Sequence, residues 1–159
     1  MQESEEKRED RQILTFNLLK EEMGLDIEYV HEVLIPQDIH PLPQAPDFVD
    51  GVINLRGRII AVIDLRKKFN IKAIEDNSKM RIIICRINKF IVGLVVDSVS
   101  EVLSLPLSAI QPTPEVLSIQ INAGYISGIA RLGERVITIL NLEEILTNDE
   151  ITRLSKINR

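Results

Sequence analysis

The chain of 159 residues contains one cysteine, no tryptophan and few aromatic residues, which make up 4% of the sequence. A single cysteine excludes an internal disulfide and indicates a reducing compartment. The few aromatic rings and the net charge of −5 argue against nucleic acid, which is bound by basic surfaces and stacking platforms. No apolar run approaches the ~18 residues of a membrane span and there is no signal-peptide pattern, so the sequence predicts a cytoplasmic protein without membrane insertion.

Residues typical of catalytic and metal sites are also scarce. The two histidines, His31 and His40, have no cysteine or carboxylate partner at metal-ligand spacing. Cys85 lies in an apolar run, which is typical of an inert core thiol. Asp64 ends an apolar strand, but the acidic pair and the lysine of a phospho-accepting site are missing, so we expect it to cap a short helix over Leu65–Phe69. The sequence therefore predicts neither an enzyme nor a metal or cofactor site.

Most of the chain consists of short β segments separated by Gly, Asn and Pro residues. Residues 1–11 are charged or polar and predict a flexible N-terminus. Alternating or apolar runs predict strands at Gln12–Leu19, Arg81–Ile87, Phe90–Val96 and Arg135–Leu140. Asn88 and Lys89 separate two of these runs and predict a tight hairpin.

The C-terminal segment 141–159 has the pattern of a helix. Asn141 followed by Glu144 has the spacing of a capping box, with acidic residues in the first turn as the helix dipole favours. Ile151, Leu154 and Ile157 continue an apolar stripe at helical spacing. We therefore expect a C-terminal helix with one apolar face.

An internal repeat is the most informative feature of the sequence. Two gapless alignments occur in the same order in both halves of the chain. They match Gly24–Leu34 with Gly93–Leu103 and Gly51–Leu65 with Gly128–Leu142. All seven prolines fall in the connectors Ile35–Asp50 and Ser104–Ser127. Chance similarity between Val- and Ile-rich strands is the alternative, but the shared order and the proline placement favour duplication.

Each half of the chain supplies about five short strands. A flat sheet of that size would leave exposed edges, whereas closing each half into a small barrel removes them. We therefore predict a mostly β fold in which two five-stranded barrels, related by duplication, pack along an apolar seam. The first barrel is expected at about 12–78 and the second, interlocked with it, at about 79–140, within one domain over 12–147.

Two arginines interrupt the most apolar stretch of the chain, and the repeat separates their roles. Arg58 recurs as Arg135, which indicates a scaffold role at the start of a strand. The position of Arg56 is occupied by Gly133 in the second copy, so the barrel itself does not require an arginine there. This asymmetry indicates a functional role for Arg56, although a solvated turn arginine of little energetic value is the alternative.

Arg56 and Gly57 are expected to form a two-residue turn between strands, in which Gly57 adopts positive φ. Glu32 and Glu101 occupy equivalent places in the two halves. We therefore hypothesise that Glu32 pairs with Arg56 across the first barrel.

The stretch Gly51-Val-Ile-Asn-Leu-Arg-Gly57, preceded by Gly24-x-Asp-Ile-x-x-Val-x-Glu-Val, resembles the CheW family of bacterial chemotaxis adaptors over about residues 12–147. The resemblance implies two SH3-like five-stranded barrels and a non-catalytic adaptor. Such an adaptor couples methyl-accepting receptors to the histidine kinase CheA in membrane-associated arrays. The implied partners are the regulatory domain of the kinase and the cytoplasmic tip of the receptor, and contacts with other CheW copies in array rings stay open.

The resemblance also implies roles for individual residues. The expected receptor-binding residues are Ile27, Val30, Glu32, Arg56 and Val99. The expected kinase-binding residues, on the second barrel, are Leu103, Leu105 and Ile126. Two positions depart from the family pattern, with Met23 in place of an aromatic residue and Ala61 in place of proline, and neither lies at an expected contact.

Two other classes of protein compete with this interpretation. An enzymatic or small-molecule-binding barrel would need a polar cluster in a cavity, which the sequence does not indicate. An SH3-like module for proline-rich peptides would need an aromatic groove, for which two Tyr and four Phe residues are little material.

Overall fold

A computed structural model describes residues 10–18, 20–70, 78–112 and 123–155. The strands in these ranges are β1 (Arg11–Leu18), β2 (Glu21–Asp26), β3 (Val30–Leu34), β4 (Val49–Leu55), β5 (Arg58–Asp64), β6 (Arg81–Ile87), β7 (Phe90–Val96), β8 (Ser98–Leu105), β9 (Ile110–Gln111), β10 (Ile126–Leu132) and β11 (Arg135–Leu140). The α-helices are α1 (Leu65–Lys68), α2 (Leu142–Ile145) and α3 (Asn148–Ser155). The protein is mostly β, as the sequence predicts, and β6, β7 and β11 have the predicted bounds.

The N-terminal prediction is tested only at its end, because residues 1–9 lie outside the described ranges. Arg11 opens β1 and forms an ion pair with Asp26 of β2. Including Arg11 in the flexible N-terminus was therefore wrong, because both its backbone and its side chain are held by neighbouring strands.

The strands form two sheets, one with the order β3-β6-β7-β5-β4 and one with the order β8-β1-β2-β11-β10-β9. We refer to them as the five-stranded and the six-stranded sheet. The second has one strand more than predicted, because the two-residue β9 pairs with β10. Each sheet combines strands from both halves of the chain. The predicted boundary between the two barrels, at residues 78 and 79, therefore does not separate the strands of one sheet from those of the other.

The chain passes from one sheet to the other at two places. The first crossover is the single 3-10 turn Ile27–Tyr29, which leads from β2 to β3. The second crossover is Asp97, which leads from β7 to β8. Because β1 and β2 thus join the sheet of the second half, while β6 and β7 join the sheet of the first, the two sheets are interlocked.

The duplication extends to the pairing register of the strands. In the five-stranded sheet, β5 and β7 run parallel with Val62 opposite Gly93. In the six-stranded sheet, β11 and β2 run parallel with Ile139 opposite Gly24, and these are the residues that the repeat aligns with the first pair. Because the parallel strands of both sheets pair in the same register, the two halves of the chain contain a common structural unit.

Three apolar cores hold these sheets together. The largest contains side chains of both sheets, including fully buried Phe16, Leu25, Ile83 and Leu94, and so forms the predicted apolar seam. Smaller cores lie within the five-stranded and the six-stranded sheet. Burying a side chain of this size stabilises a fold by about 1.5–3 kcal/mol. The hydrophobic contacts of the seam therefore contribute most to holding the two sheets together. Cys85 is part of it, and burial raises the pKa of its thiol, as expected for an inert core cysteine.

The predicted C-terminal helix begins later than expected. Asn141 precedes only the four-residue α2, and its side chain makes no capping hydrogen bond. The capping box belongs instead to α3, where the Glu150 amide donates to Thr147 Oγ1 and the Thr147 amide donates to Glu150 Oε1. Leu154 is buried as predicted, whereas the side chain of Ile151 and the whole of Ile157 lie outside what the structure describes.

An ion pair attaches α3 to the helix that follows β5. The Nζ atom of Lys68 lies 2.8 Å from Glu150 Oε2 and 4.3 Å from the centre of the Phe48 ring. Both charged side chains are largely buried, with 9% and 15% of their surface exposed. The C-terminal helix α3 is thus attached to α1, the short helix that follows β5 of the five-stranded sheet.

Candidate partner-binding site

Glu32 and Arg56 form the predicted ion pair. Arg56 Nη1 donates to Glu32 Oε1 at 2.7 Å and Nη2 donates to Oε2 at 2.9 Å, which is the bidentate geometry of a strong arginine–carboxylate pair. The Arg56 side chain is 70% exposed and that of Glu32 is 23% exposed. The hydrogen bonds lower the pKa of Glu32 and raise the pKa of Arg56, so both side chains are charged at neutral pH.

The turn that carries Arg56 holds it in an unusual backbone conformation. Leu55 pairs with Arg58, and the two residues between them have positive φ, at 51° for Arg56 and 85° for Gly57. The prediction of positive φ at Gly57 is confirmed, and the pair of positive values is that of a type I′ hairpin turn. The Asn54 side chain accepts a hydrogen bond from the Gly57 amide at 2.9 Å and braces the turn. Positive φ is disfavoured for a residue with a side chain, so Arg56 occupies a backbone position that glycine would fill more easily.

The second copy uses a different arginine for the equivalent glutamate. Glu101 pairs with Arg135 at 3.0 Å, and the same guanidinium binds Glu22 at 2.7 Å. These carboxylates raise the pKa of Arg135. The Arg58 side chain, in contrast, has no hydrogen bond or ion pair with any residue that the structure describes. The predicted shared scaffold role of Arg58 and Arg135 therefore applies to Arg135 only.

The apolar residues of the expected receptor site lie at the two crossovers. Ile27 is in the first crossover, Val30 directly follows it, and Val99 follows the second crossover. The repeat aligns Val30 with Val99. All three side chains are half-buried and pack against the core that both sheets share. The structure therefore brings them to the seam, where each leaves part of its apolar surface exposed.

A buried ionic network braces the second crossover. Arg66 Nη1 lies 3.4 Å from Asp97 Oδ1 and Nε lies 3.3 Å from Asp64 Oδ1. Asp64 Oδ1 also accepts a hydrogen bond from the Arg66 amide at 2.9 Å, which confirms the predicted helix cap. The sequence alone does not indicate the wider network, because Asp97 is distant in sequence from Arg66, to which its carboxylate binds.

Two of the three expected kinase-binding residues are not available at the surface. Leu105 is fully buried in the core of the six-stranded sheet, and Ile126 is 6% exposed. A direct contact by these two side chains was therefore a wrong prediction, because neither presents enough surface to a partner. Leu103 is half-buried against the core of the six-stranded sheet.

The exposed apolar side chains of the described residues include neighbours of these positions. They are Val33, Ile35 and Ile59 on the five-stranded sheet or just after its β3, and Val102, Leu107 and Val136 on or beside the six-stranded sheet. The repeat aligns Val33 with Val102 and Ile59 with Val136, so each sheet presents the same two apolar positions. Strand alternation could have indicated them, since Val102 has the opposite parity to Leu103 and Leu105.

These features define a class of protein. The described part of the chain is a duplicated fold of two sheets. Its distinctive features are an exposed ion pair, an apolar seam between the sheets and exposed apolar side chains. No group of three or more His, Cys, Asp or Glu residues in this part is placed to hold a metal ion. Its helices are all too short or too polar to cross a membrane. The class is that of mostly β proteins built from two sheets of duplicated units.

Comparison with known proteins gives the family. The model of the CheW-like domain matches residues 12–150. The chemotaxis protein CheW of Klebsiella aerogenes is 35% identical over 147 residues, which cover 92% of this chain and 88% of that protein. The chemotaxis protein CheW of Helicobacter pylori is 36% identical over 145 residues, covering 91% and 87%.

A solved structure agrees with the sequence comparison. The scaffolding protein TtCheW from Thermoanaerobacter tengcongensis has a TM-score of 0.81 and 38% sequence identity, and the match covers 89% of this chain and 97% of that one. The chain therefore belongs to the CheW family of chemotaxis scaffold proteins.

Proposed function

We propose that this protein is a non-catalytic adaptor that couples methyl-accepting chemoreceptors to the histidine kinase CheA in signalling arrays. The observation that carries the proposal, beside family membership, is the exposed Glu32–Arg56 pair, whose glutamate lies two residues after Val30 of the seam. The second copy of the unit manages without an arginine at the position of Arg56, so folding does not explain this pair.

The receptor site that we propose consists of Ile27, Val30, Glu32, Arg56 and Val99. A receptor tip is a helical hairpin, and an apolar seam suits one apolar stripe of a helix. The half-buried Ile27, Val30 and Val99 supply that apolar surface on a rigid core. The charged pair at its side would orient the hairpin, because electrostatic contacts contribute specificity more than affinity.

The kinase site that we propose lies on the six-stranded sheet. It includes Leu103 and, in place of the two buried candidates, the exposed neighbours Val102 and Leu107. Their exposed fractions of 52% and 49% suit an apolar contact with the regulatory domain of the kinase. On the other sheet, the exposed Val33, which is the equivalent of Val102, and Ile59, which is the equivalent of Val136, are available to a further array component, such as another copy of the adaptor.

The location that follows from this function is the cytoplasm, at receptor arrays on the membrane. The receptor would supply the membrane attachment. Each adaptor contact is expected to be weak, and the array gains its strength from many contacts made together.

Reconstitution of the array tests the proposal. The full chain, a receptor tip fragment and the kinase are combined, and kinase phosphorylation is measured with the wild type and with Arg56→Ala. We expect the variant to keep the wild-type melting temperature and to lose most of the kinase activation, because the pair that orients the receptor is gone.

Arg131→Ala is the matched control, since it removes an exposed arginine from the other sheet. It should leave activation unchanged. Wild-type activation by Arg56→Ala would remove Arg56 from the coupling mechanism. A wild-type protein that captures neither the kinase regulatory domain nor the receptor tip would contradict the adaptor function as a whole.

A further inference from the structure

Three charged side chains border one small recess at the edge of the five-stranded sheet. Glu32, Arg56 and Arg58 line a cavity of about 100 Å³ together with His31 and several apolar residues. Arg56 donates hydrogen bonds to both carboxylate oxygens of Glu32, whereas the Arg58 guanidinium makes no hydrogen bond or ion pair with the described residues. The recess thus contains one carboxylate and two arginines that are able to bind it.

The second copy of the unit shows that an arginine at the position of Arg58 can reach this glutamate. Arg135 is its equivalent, and it lies 3.0 Å from Glu101, the equivalent of Glu32. The two hairpins pair in the same way, with Leu55 opposite Arg58 and Leu132 opposite Arg135. The same scaffold therefore holds the glutamate by two alternative arginines, one in each copy.

We propose that Glu32 exchanges between these arginines: it binds Arg56 in the free protein and Arg58 when Arg56 binds a carboxylate of the receptor tip. The inference rests on the proposed receptor-coupling function and adds Arg58 to it as a positioning residue. Arg58 does not contact the receptor. It holds the glutamate that the receptor displaces.

The exposure of the pair makes such an exchange feasible. The Arg56 side chain is 70% exposed, and exposed ion pairs are weak enough to be replaced by a competing carboxylate. Glu32 is only 23% exposed, so losing its partner without a replacement would be unfavourable and would oppose receptor binding. An arginine already present in the same recess removes this penalty. Arg58 would therefore raise the affinity for the receptor through Glu32.

A crystal structure of the Arg56→Ala variant tests the exchange without any partner. We expect the Glu32 carboxylate to turn to Arg58 and to lie within ordinary hydrogen-bond distance of its guanidinium, as in the Glu101–Arg135 pair. A structure in which Glu32 stays in place and Arg58 remains unpaired would overturn the exchange, whatever the function of the protein.

Binding of a receptor-tip fragment to the full chain tests its consequence. Arg58→Met should weaken binding on the order of fivefold, a typical size for a coupled effect, and Arg58→Lys should restore part of the loss. In a Glu32→Gln background, Arg58→Met should change the Kd by about twofold or less, because no carboxylate is left to hold. Arg131→Met is the control on the other sheet and should leave the Kd unchanged.

If Arg58→Met weakened receptor binding as much in the Glu32→Gln background as in the wild type, Arg58 would contact the receptor directly. That result would contradict the proposal. Failure of the wild type to bind the tip would count against the proposed function. The crystal structure of Arg56→Ala would still decide the exchange in that case, so the two failures are distinguishable.

Discussion

The two copies of the repeated unit treat the same glutamate in different ways. Glu101 is held by Arg135, which also binds Glu22 and so connects three strands of the six-stranded sheet. Glu32 is held from a turn by Arg56, which binds no second carboxylate in the described residues and is 70% exposed. The first arrangement braces a sheet, whereas the second leaves an exchangeable pair at the surface. A duplicated fold can thus keep one copy for structure and adapt the other for binding.

The two crossovers show a similar difference. The second is bound by the buried network of Arg66 with Asp64 and Asp97. At the first crossover, the residue equivalent to Arg66 is the exposed Glu143, which lies beside Tyr29. Burial and this carboxylate raise the pKa of Tyr29, so its hydroxyl stays protonated. The second crossover is therefore braced by buried charges, whereas the contacts beside the first, Arg11 with Asp26 and Tyr29 with Glu143, are partly exposed.

Removing the buried cation should have the largest effect on stability. Arg66→Met leaves the carboxylates of Asp64 and Asp97 without their arginine, and breaking a buried pair in this way costs about 3–5 kcal/mol. We expect the free energy of unfolding, measured with urea, to fall by this amount.

The matched change at the other crossover is Glu143→Gln, at the equivalent helix position. Because Glu143 is exposed, the free energy of unfolding should change by only about 0.5 kcal/mol or less. Equal losses in the two variants would show that the crossovers are braced alike and would break the comparison.

A smaller but clear difference is expected between two equivalent glycines. Gly51 has φ of 148°, and a Cβ atom there would overlap the carbonyl of His40. Gly128 has no positive φ, and its Cβ would lie 2.9 Å from Ile110 Cγ2 and 3.1 Å from the Gln111 carbonyl oxygen, so it needs smaller shifts than a Cβ at Gly51. Gly51→Ala should therefore destabilise the protein by about 1–3 kcal/mol, and Gly128→Ala by less. Thermal unfolding of both variants measures the two losses of stability. A larger loss for Gly128→Ala than for Gly51→Ala would contradict the prediction.

The sequence predicts those parts of the fold that depend on local pattern. Turn residues and apolar runs place β6, β7 and β11, and the repeat predicts the Glu32–Arg56 pair through the absence of an arginine at Gly133. It does not predict which sheet receives β1 and β2, because this depends on long-range parallel pairing of β2 with β11.

The missed site residues have equally physical causes. The burial of Leu105 follows from its direction on β8, which the family resemblance does not give and the strand alternation does. The Arg66–Asp97 contact joins a helix to a crossover that folding alone brings together. Local patterns of residues therefore find strands and turns, whereas interlocking and buried pairs between distant segments require the structure.

A pH-dependent difference is expected where the first short helix binds α3. Burial by itself raises the pKa of Glu150, but hydrogen bonds from Lys68 and Thr147 outweigh it and lower the pKa below its usual value. The position equivalent to Lys68 in α2 is the buried Ile145, so only α1 has this pair.

A carboxylate with a lowered pKa stabilises the fold above its unfolded-state pKa, and the stabilisation is lost as the pH falls through the folded-state pKa. Glu150→Gln should therefore be less stable than the wild type at pH 7, and the difference should shrink as the pH falls below the ordinary pKa of a glutamate. Urea unfolding across this range measures it, with Glu144→Gln on the exposed face of α2 as the control. A difference that persisted in acid would assign the role of Glu150 to its capping box instead of its charge.

The smallest effect on stability is expected at the residue with the largest proposed effect on function. Arg56→Gly gives the first turn the residue that the second copy has at Gly133, where φ is 60°. Glycine adopts positive φ without the steric penalty that Arg56 carries, so the lost surface pair should be offset and the melting temperature should not fall. Kinase activation in the reconstituted array should nevertheless be lost, because no guanidinium remains to bind the receptor. The reverse change, Gly133→Arg, should lower the melting temperature slightly and leave activation intact. If Arg56→Gly instead destabilised the protein as much as Arg66→Met, Arg56 would be a structural residue, and the functional difference between the two copies would lie elsewhere.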